Sequence, residues 1–257
     1  MNALADSHCH IDARAFDNDR TTVLERARDA GIDTIVVPAI DASGWNRLTQ
    51  ICRDHAGLHA ALGLHPMAID NHRDEHVAVL RELLQQGNAC AVGECGLDFW
   101  EGDDNAERQR HFFRAQLELA REFDLPVIVH ARRALDAVTT MVRQAGPLRG
   151  VVHSFSGSQQ QAEQLWRLGF LISVGGPITY PRAQRLRGIV ASMPIEHLLI
   201  ETDSPDQPGA QHRGQRNEPA NLPAVAQVIA ELRDTDPCEI ARHTRDNCRQ
   251  LFKLTQT

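Results

Sequence analysis

The sequence predicts a (β/α)8 barrel, the TIM-barrel fold, in a single domain that spans residues 1–257. Two observations predict it. Eight short, apolar, β-branched segments alternate with amphipathic helical patterns along the chain. In addition, polar residues of the metal-ligand type follow several of these segments at their downstream ends, which is where barrels of this fold build their active sites. A length of 257 residues is enough for one large α/β domain.

The strands are predicted from runs of β-branched and aliphatic residues that end at polar or turn-forming positions. In chain order they are Leu4–His8, Thr34–Pro38, His59–Leu64, Ala89–Gly93, Pro126–His130, Val151–Phe155, Phe170–Val174 and Leu198–Thr202. An open, doubly wound sheet would gather its ligand-binding residues at one switch point. The candidate residues instead follow five different strands, and this distribution favours a closed ring.

The intervening helices are predicted from apolar residues that recur every three or four positions. Thr21–Ala30 and Gln159–Leu168 each end before a glycine, which is typical of a helix C-terminus. Asn105–Phe123 is a longer amphipathic helix. The segment 205–219 is rich in Pro, Gly, Gln and Arg, and it is predicted to be a long loop over the mouth of the barrel.

Composition excludes several classes of protein. The chain is 42% hydrophobic and 24% charged, which is ordinary for a globular protein, and no apolar run approaches the roughly 20 residues of a membrane helix. Met1–Asp6 lacks the basic and apolar regions of a signal peptide, so the sequence predicts a cytoplasmic protein without a membrane partner. A net charge of −7 means that an anionic substrate must be attracted locally, by bound metal and arginines.

The cysteine and lysine residues exclude several kinds of metal, redox and covalent site. The six cysteines contain no Cys-x-x-Cys pair, which argues against a zinc ribbon, a thioredoxin-like motif or a disulfide framework. Lys253 is the only lysine, and it lies near the C-terminus. A Schiff-base lysine or a metal-bridging carboxylated lysine is therefore not expected.

Six residues are predicted to form a binuclear metal centre. His8 and His10 are two positions apart on an extended segment, so their side chains share a face and can bind one divalent ion. A lone histidine at a strand end is more often structural, but six candidates converging on one barrel mouth favour a metal site. The six are His8, His10, Glu94, His130, His153 and Asp203.

In this hypothesis His8, His10 and Asp203 hold one ion, while His130 and His153 hold the second. Glu94 bridges the two ions through its two oxygens, and Asp203 accepts the proton of the attacking water, so Asp203 and Glu94 are the predicted catalytic residues. Mixed histidine and carboxylate ligands suit Zn²⁺, Mn²⁺ or Fe²⁺, and suit Mg²⁺ less well.

Further candidates each have more than one interpretation. His65 contacts substrate or fixes the turn before Pro66, and Glu201 orients ligands, holds a further metal or is a buried structural partner. Asp98 supports a ligand or forms a turn. Three arginines are candidate phosphate ligands, although an ion-pair or surface role is equally consistent with the sequence: Arg132, Arg213 and Arg216.

At these residues the sequence resembles the TatD family of metal-dependent deoxyribonucleases, relatives of the amidohydrolase barrels. The resemblance extends over essentially the whole chain. The matching stretches are Asp6-Ser7-His8-Cys9-His10, Gly63-Leu64-His65-Pro66, Gly93-Glu94-Cys95-Gly96-Leu97-Asp98, Leu125-Pro126-Val127-Ile128-Val129-His130-Ala131-Arg132, Val152-His153-Ser154-Phe155-Ser156-Gly157, Glu201-Thr202-Asp203-Ser204-Pro205 and Arg216-Asn217-Glu218-Pro219. The resemblance implies that the six residues named above bind metals in a two-metal phosphodiester hydrolase, usually a DNase.

Two departures from the family pattern concern substrate preference. Met67 stands where the family often has a second histidine, and Asp206-Gln207 replaces the usual Tyr-Leu after Ser-Pro. The Ser-Pro-Asp sequence places the chain nearer the YjjV-like branch of the family.

Three functional hypotheses follow. The first is a nuclease that trims the ends of single-stranded DNA or RNA, as a 3′–5′ exonuclease, because metals at the floor of a barrel mouth favour a strand end over the middle of a duplex. Its partner is the nucleic acid substrate, and no obligatory protein partner is evident. The second is a metal-dependent ester or amide hydrolase such as a D-aminoacyl-tRNA deacylase. The third is a non-catalytic metal-binding protein, against which the complete ligand set argues.

Overall fold

Eight parallel strands form a nearly closed barrel, which confirms the predicted (β/α)8 architecture. The computed structural model describes residues 3–102 and 104–254. Each strand pairs in parallel with the next one along the chain. The strands are β1 (Leu4–Asp6), β2 (Ile32–Pro38), β3 (Leu58–Leu62), β4 (Ala91–Asp98), β5 (Val127–Arg132), β6 (Gly150–Val152), β7 (Phe170–Val174) and β8 (Leu198–Ile200).

Helices surround this sheet and bury their apolar faces against it. They are α1 (Arg20–Asp29), α2 (Trp45–Asp54), α3 (Asp74–Gln85), α4 (Ala106–Glu122), α5 (Leu135–Ala145), α6 (Gln159–Arg167), α7 (Gln184–Ser192), α8 (Leu222–Arg233) and α9 (Pro237–Phe252). In the part of the chain that the structure describes, no helix is long and apolar enough to cross a membrane.

The hydrophobic core has two parts because successive strand residues point to opposite faces of the sheet. The larger part fills the space between the strands and the helices. The smaller part draws on alternate strand positions, among them Ala5, Ala61 and Ile128, and so lies inside the barrel. Leu251 and Phe252 at the end of α9 belong to this inner cluster. The last helix therefore closes the end of the barrel opposite the mouth.

The seam between β1 and β8 is joined by Asp6 and by backbone hydrogen bonds. The Ser7 N–H donates to the Ile200 carbonyl (3.0 Å), and the Asp203 N–H donates to the His8 carbonyl (2.9 Å). The fully buried Asp6 carboxylate accepts from the Thr202 N–H (2.9 Å) and from the Thr202 hydroxyl (2.5 Å). The seam thus fixes His8 relative to Asp203.

The strand ends differ from the prediction where polar residues interrupt the apolar runs. β4 continues to Asp98 instead of ending at Gly93, so Glu94 lies within the strand and does not follow it. The register of β4 against β5 shifts between Val92 and Cys95, and Gly96 permits a close approach, since a Cβ there would lie 2.1 Å from the His130 carbonyl oxygen.

Three strands near other proposed ligands end earlier than predicted, whereas β5, which carries His130, continues to Arg132. β1 ends at Asp6, β6 at Val152 and β8 at Ile200, so His8, His153 and Asp203 occupy the turns that follow them. The predicted loop 205–219 contains one short 3-10 helix, Ala210–His212, and ends at Pro219, where a second one, Pro219–Asn221, begins.

Candidate metal centre

Glu94 Oε2 is one of four potential ligand atoms that lie close together. This oxygen lies 3.0 Å from His8 Nε2 and 3.5 Å from His10 Nε2. Asp203 Oδ1 lies 3.5 Å and 3.6 Å from the same two nitrogens, which are 3.2 Å from each other. Donors about 2.1 Å from a tetrahedral ion are about 3.4 Å apart. The four atoms therefore have the spacing of donors around one ion.

A second set surrounds the other oxygen of the same carboxylate. Glu94 Oε1 lies 3.0 Å from His130 Nδ1 and 2.8 Å from His153 Nε2, and these two nitrogens are 3.2 Å apart. Glu94 consequently has a different pair of histidine nitrogens near each of its two oxygens.

The pKa of Glu94 is lowered although its carboxyl group is buried. Burial alone raises the pKa of a carboxyl, but His153, His65 and His8 hold the pKa of Glu94 well below its usual range. Glu94 Oε2 is buried and has no hydrogen-bond partner. Buried charged oxygens normally have partners, and a divalent ion between this oxygen and the neighbouring nitrogens satisfies it. The residues present therefore fit a metal centre.

Polar neighbours fix the ring orientation of two ligand histidines. His10 Nδ1 lies 3.1 Å from the Pro38 carbonyl, and His130 Nε2 lies 2.9 Å from Asp98 Oδ2. Both oxygens are acceptors, so each ring donates there and turns its other nitrogen toward Glu94. Asp98 also accepts from the Trp100 N–H (2.9 Å), so it both supports a ligand and forms a turn.

His65 also contacts the Glu94 carboxylate, and ligand-type atoms of His65, Glu94 and His130 lie within 4.8 Å of one another. Its Nδ1 accepts from the Met67 N–H (3.0 Å), and burial lowers the pKa of His65 to about 4. The neutral ring therefore carries its proton on Nε2, which donates to Glu94 Oε1 at 2.9 Å. His65 fixes the turn before Pro66, as one of the two interpretations expects, and it also restrains Glu94.

Glu201 lies buried beneath the centre. Its Oε1 accepts from the Ser154 N–H (2.7 Å) and lies 3.8 Å from His153 Nδ1. The His8 and His153 rings stack with centroids 3.9 Å apart, and ligand-type atoms of these two residues and Glu201 lie within 4.8 Å of one another. Glu201 thus lies beside His153 and near His8, with its Oε1 held by the Ser154 N–H.

The ligands form the floor of a cavity of about 1160 Å³ that opens at the mouth of the barrel. Three arginines line it although the chain as a whole is acidic: Arg132, Arg182 and Arg185. Apart from the proposed ligands, Asp206 is the one acidic residue that lines this cavity among the described residues. The mouth is therefore locally basic.

Of the three arginines predicted to contact phosphate, only Arg132 lines the cavity. Arg132 lines the mouth, and its guanidinium carbon lies 4.1 Å from the centre of the Trp100 ring. Arg216 instead pairs with both oxygens of Asp19 (2.9 and 2.6 Å), and Arg213 is exposed on the loop; neither lines the cavity. The predicted phosphate contacts of Arg213 and Arg216 are not supported by their positions.

Two mouth residues, Arg182 and Arg185, were not singled out from the sequence, and Gln207 was noted only as a departure from the family pattern. Arg182 lies in the segment between β7 and α7, and Arg185 lies in the first turn of α7. A signal existed for the arginines, because the connection that follows a predicted strand lies at the mouth by the same rule that places the proposed ligands there.

Comparison with known proteins agrees with this geometry. The family model described as TatD related DNase matches residues 5–253. An uncharacterized metal-dependent hydrolase, YjjV of Escherichia coli (strain K12), is 42% identical over 252 residues, which is 97% of each chain. A 3′-5′ ssDNA/RNA exonuclease, TatD of Rahnella sp. (strain Y9602), is 34% identical over 255 residues, which cover 96% of this chain and 97% of that one. The crystal structure of Escherichia coli K12 YjjV has a TM-score of 0.94 and 41% identity, with 98% of both chains covered.

Proposed function

The chain belongs to the family of TatD-related DNases and is a metal-dependent hydrolase, and from this premise we propose that it removes nucleotides from the 3′ ends of single-stranded DNA or RNA. The single observation that carries the proposal is the arrangement around Glu94. One buried carboxylate has a ligand set on each oxygen, at the floor of a mouth lined by arginines. A cation centre beneath a basic mouth suits an anionic ester such as a phosphodiester.

The proposed ligands are His8, His10, Glu94 and Asp203 for one ion, and Glu94, His130 and His153 for the other. Two divalent ions bound there lower the pKa of a water molecule and offset negative charge on the phosphate. Their identity, among Zn²⁺, Mn²⁺, Fe²⁺ and Mg²⁺, is decided by experiment.

The residues of the chain supply positioning and proton transfer. Asp203 accepts the proton of the attacking water, while Glu94 keeps the two ligand sets together. His65 and Asp98 restrain Glu94 and His130 through the hydrogen bonds described above. Arg132 can bind a phosphate oxygen of the substrate, since its side chain is 43% exposed and lines the mouth.

The depth of the centre supports action at a strand end. His8 and Glu94 are no more than 1% exposed, and they lie beneath the loops that form the mouth. A terminal phosphodiester can descend to this floor, whereas an internal bond of a duplex is held away from it by the rest of the helix. We propose in addition that residues 1–257 act as one domain, in the cytoplasm.

The proposal is tested with oligonucleotides labelled at the 5′ or the 3′ end. We expect purified enzyme with Mg²⁺, Mn²⁺ or Zn²⁺ to shorten single-stranded DNA or RNA progressively from the 3′ end and to leave blunt duplex largely intact. Asp203→Asn provides the inactive control. If single strands survive with every metal, the nuclease proposal is wrong.

One observation favours a second candidate, an ester or amide hydrolase such as a D-aminoacyl-tRNA deacylase. Ile40 and Met67 line the cavity although they are 40% and 66% exposed. An exposed apolar edge beside a metal centre suits the side chain of an aminoacyl group. Release of D-amino acid from D-aminoacyl-tRNA, absent with Asp203→Asn, would favour this candidate. A non-catalytic role would require the biological effect to survive both Asp203→Asn and Glu94→Ala.

A further inference from the structure

Gln207 spans the top of the metal centre and hydrogen-bonds to both sides of it. Its Nε2 donates to Asp203 Oδ2 at 2.5 Å, and its Oε1 accepts from the Ser154 hydroxyl at 2.9 Å. The other oxygen of Asp203, Oδ1, is the one that faces His8 and His10. The amide therefore holds the oxygen of Asp203 that the first ligand set does not use.

The backbone that carries Gln207 is held from two directions. The buried Asn217 donates its side-chain amide to the carbonyls of Thr202 (2.8 Å) and Asp206 (2.9 Å), and more distantly to that of Gln207 (3.4 Å). On the other side, a Cβ at Gly176 would lie 2.1 Å from the Gln207 carbonyl oxygen, so only glycine permits this contact.

The backbone conformation of Gln207 is itself unusual. Its φ of +49° lies in the left-handed region, which costs free energy for a residue with a side chain and persists only where its surroundings impose it. The contacts with Asn217 and Gly176 supply those surroundings, so the direction of the Gln207 side chain is set by the fold.

The Ser154 contact connects Gln207 to the second ligand set. Ser154 follows His153, and its N–H donates to Glu201 Oε1, which lies 3.8 Å from His153 Nδ1. Gln207 thus links the turn after β8, which carries Asp203, with the turn after β6, which carries His153.

We propose that Gln207 is a positioning residue that holds the Asp203 carboxylate in place for the ion of the first ligand set. The proposal rests on the metal centre of the proposed function, and it is independent of which ester bond the enzyme hydrolyses. A hydrogen bond to Oδ2 restrains rotation of the carboxylate and directs Oδ1 at the ion.

The test measures Zn²⁺ binding directly, by calorimetry or chelator competition, in the wild-type protein and three variants. Gln207→Met removes the amide with little change in length, and Ser154→Ala removes only the anchor of the amide. Gln215→Met is the matched control, because Gln215 is exposed on the same loop and does not line the cavity.

We expect wild type to bind two Zn²⁺ ions. Gln207→Met should weaken one of them 10- to 100-fold and leave the other within about threefold, because Asp203 belongs to one ligand set only. Ser154→Ala should weaken the same ion less, and Gln215→Met should match wild type. In the active enzyme kcat should fall for Gln207→Met while KM stays within about twofold, since the amide acts through Asp203.

Three results would overturn the proposal. Unchanged affinity for both ions in Gln207→Met would show that the hydrogen bond does not position Asp203. Equal weakening of both ions, together with a lower melting temperature of the metal-free protein, would show a general structural role. Absence of binding of Zn²⁺, Mn²⁺, Fe²⁺ and Mg²⁺ to wild type would instead refute the metal centre itself, and with it this inference.

Discussion

Asp6 offers a quantitative test of how the barrel seam is stabilised. The carboxylate is fully buried, and it accepts hydrogen bonds from the backbone of His8 and from both donors of Thr202. Burial nevertheless raises the pKa of Asp6 from 3.8 to about 7, because the hydrogen bonds offset only part of the desolvation of the charge. Asp6→Asn replaces the ionisable group with a neutral one of the same shape, which can donate to the Thr202 hydroxyl oxygen.

The magnitude follows from the shift in pKa. About three units correspond to about 4 kcal/mol. Because the folded pKa is the higher one, the unfolded chain releases this proton first as the pH rises. Ionisation of Asp6 therefore destabilises the folded state progressively between about pH 4 and pH 7, and the full cost is present above about pH 7.

The assay is urea unfolding of the metal-free protein at pH values from 4 to 8. We expect the free energy of unfolding of wild type, relative to Asp6→Asn, to fall by about 4 kcal/mol over this range. Asp29→Asn, at an exposed aspartate, is the control and should follow wild type. If the curves for wild type and Asp6→Asn stay parallel across the range, the reasoning about Asp6 is wrong.

Three further predictions concern the metal centre and the mouth. Asp98→Asn should weaken the second ion 10- to 100-fold in chelator competition, because His130 loses the partner that fixes its ring; an effect on the first ion alone would contradict this. Arg132→Ala should reduce the slope of log affinity against log salt concentration for single-stranded DNA by about 0.7. The affinity is measured with Ca²⁺ or without metal to prevent cleavage. Arg216→Ala is the control and should not change the slope, because Arg216 is paired with Asp19 away from the mouth. Removal of metal by a chelator should lower stability by about 2.7 kcal/mol for each ion that was held at a free concentration 100 times its dissociation constant, and calorimetry would refute the metal centre if melting were unchanged.

The barrel could be predicted because its core-facing residues repeat with the periodicity of strands and helices. β7 was predicted with its observed bounds, since Phe170–Val174 is uninterrupted by functional residues. The end of β4 was wrong because Glu94 and Gly96 interrupt the apolar pattern while the backbone continues in the sheet. Polar ligands and glycines that permit close approach weaken the hydrophobic signal at the very positions where the site is built.

The ligand set could be proposed because strand ends meet at one face of the barrel, so residues distant in sequence become neighbours. Roles that depend on the direction of a side chain could not be predicted from the sequence. The proton on His65 is assigned only by the Met67 N–H at its other nitrogen, and the pairing of Arg216 with Asp19 joins segments about 200 positions apart. Gln207 was visible only as a departure from the family pattern, because an amide becomes a positioning group only when the fold fixes its neighbours.

The inner cluster, which includes Leu251 and Phe252, closes one end of the barrel, so the mouth is its open end. Substrate, product, water and ions all have to use the mouth, because the opposite end is sealed by apolar side chains. Metal exchange and product release therefore compete for the same passage. Product bound at the mouth arginines should slow the loss of metal to a chelator. The enzyme should therefore lose its ions more slowly during turnover than in the absence of substrate.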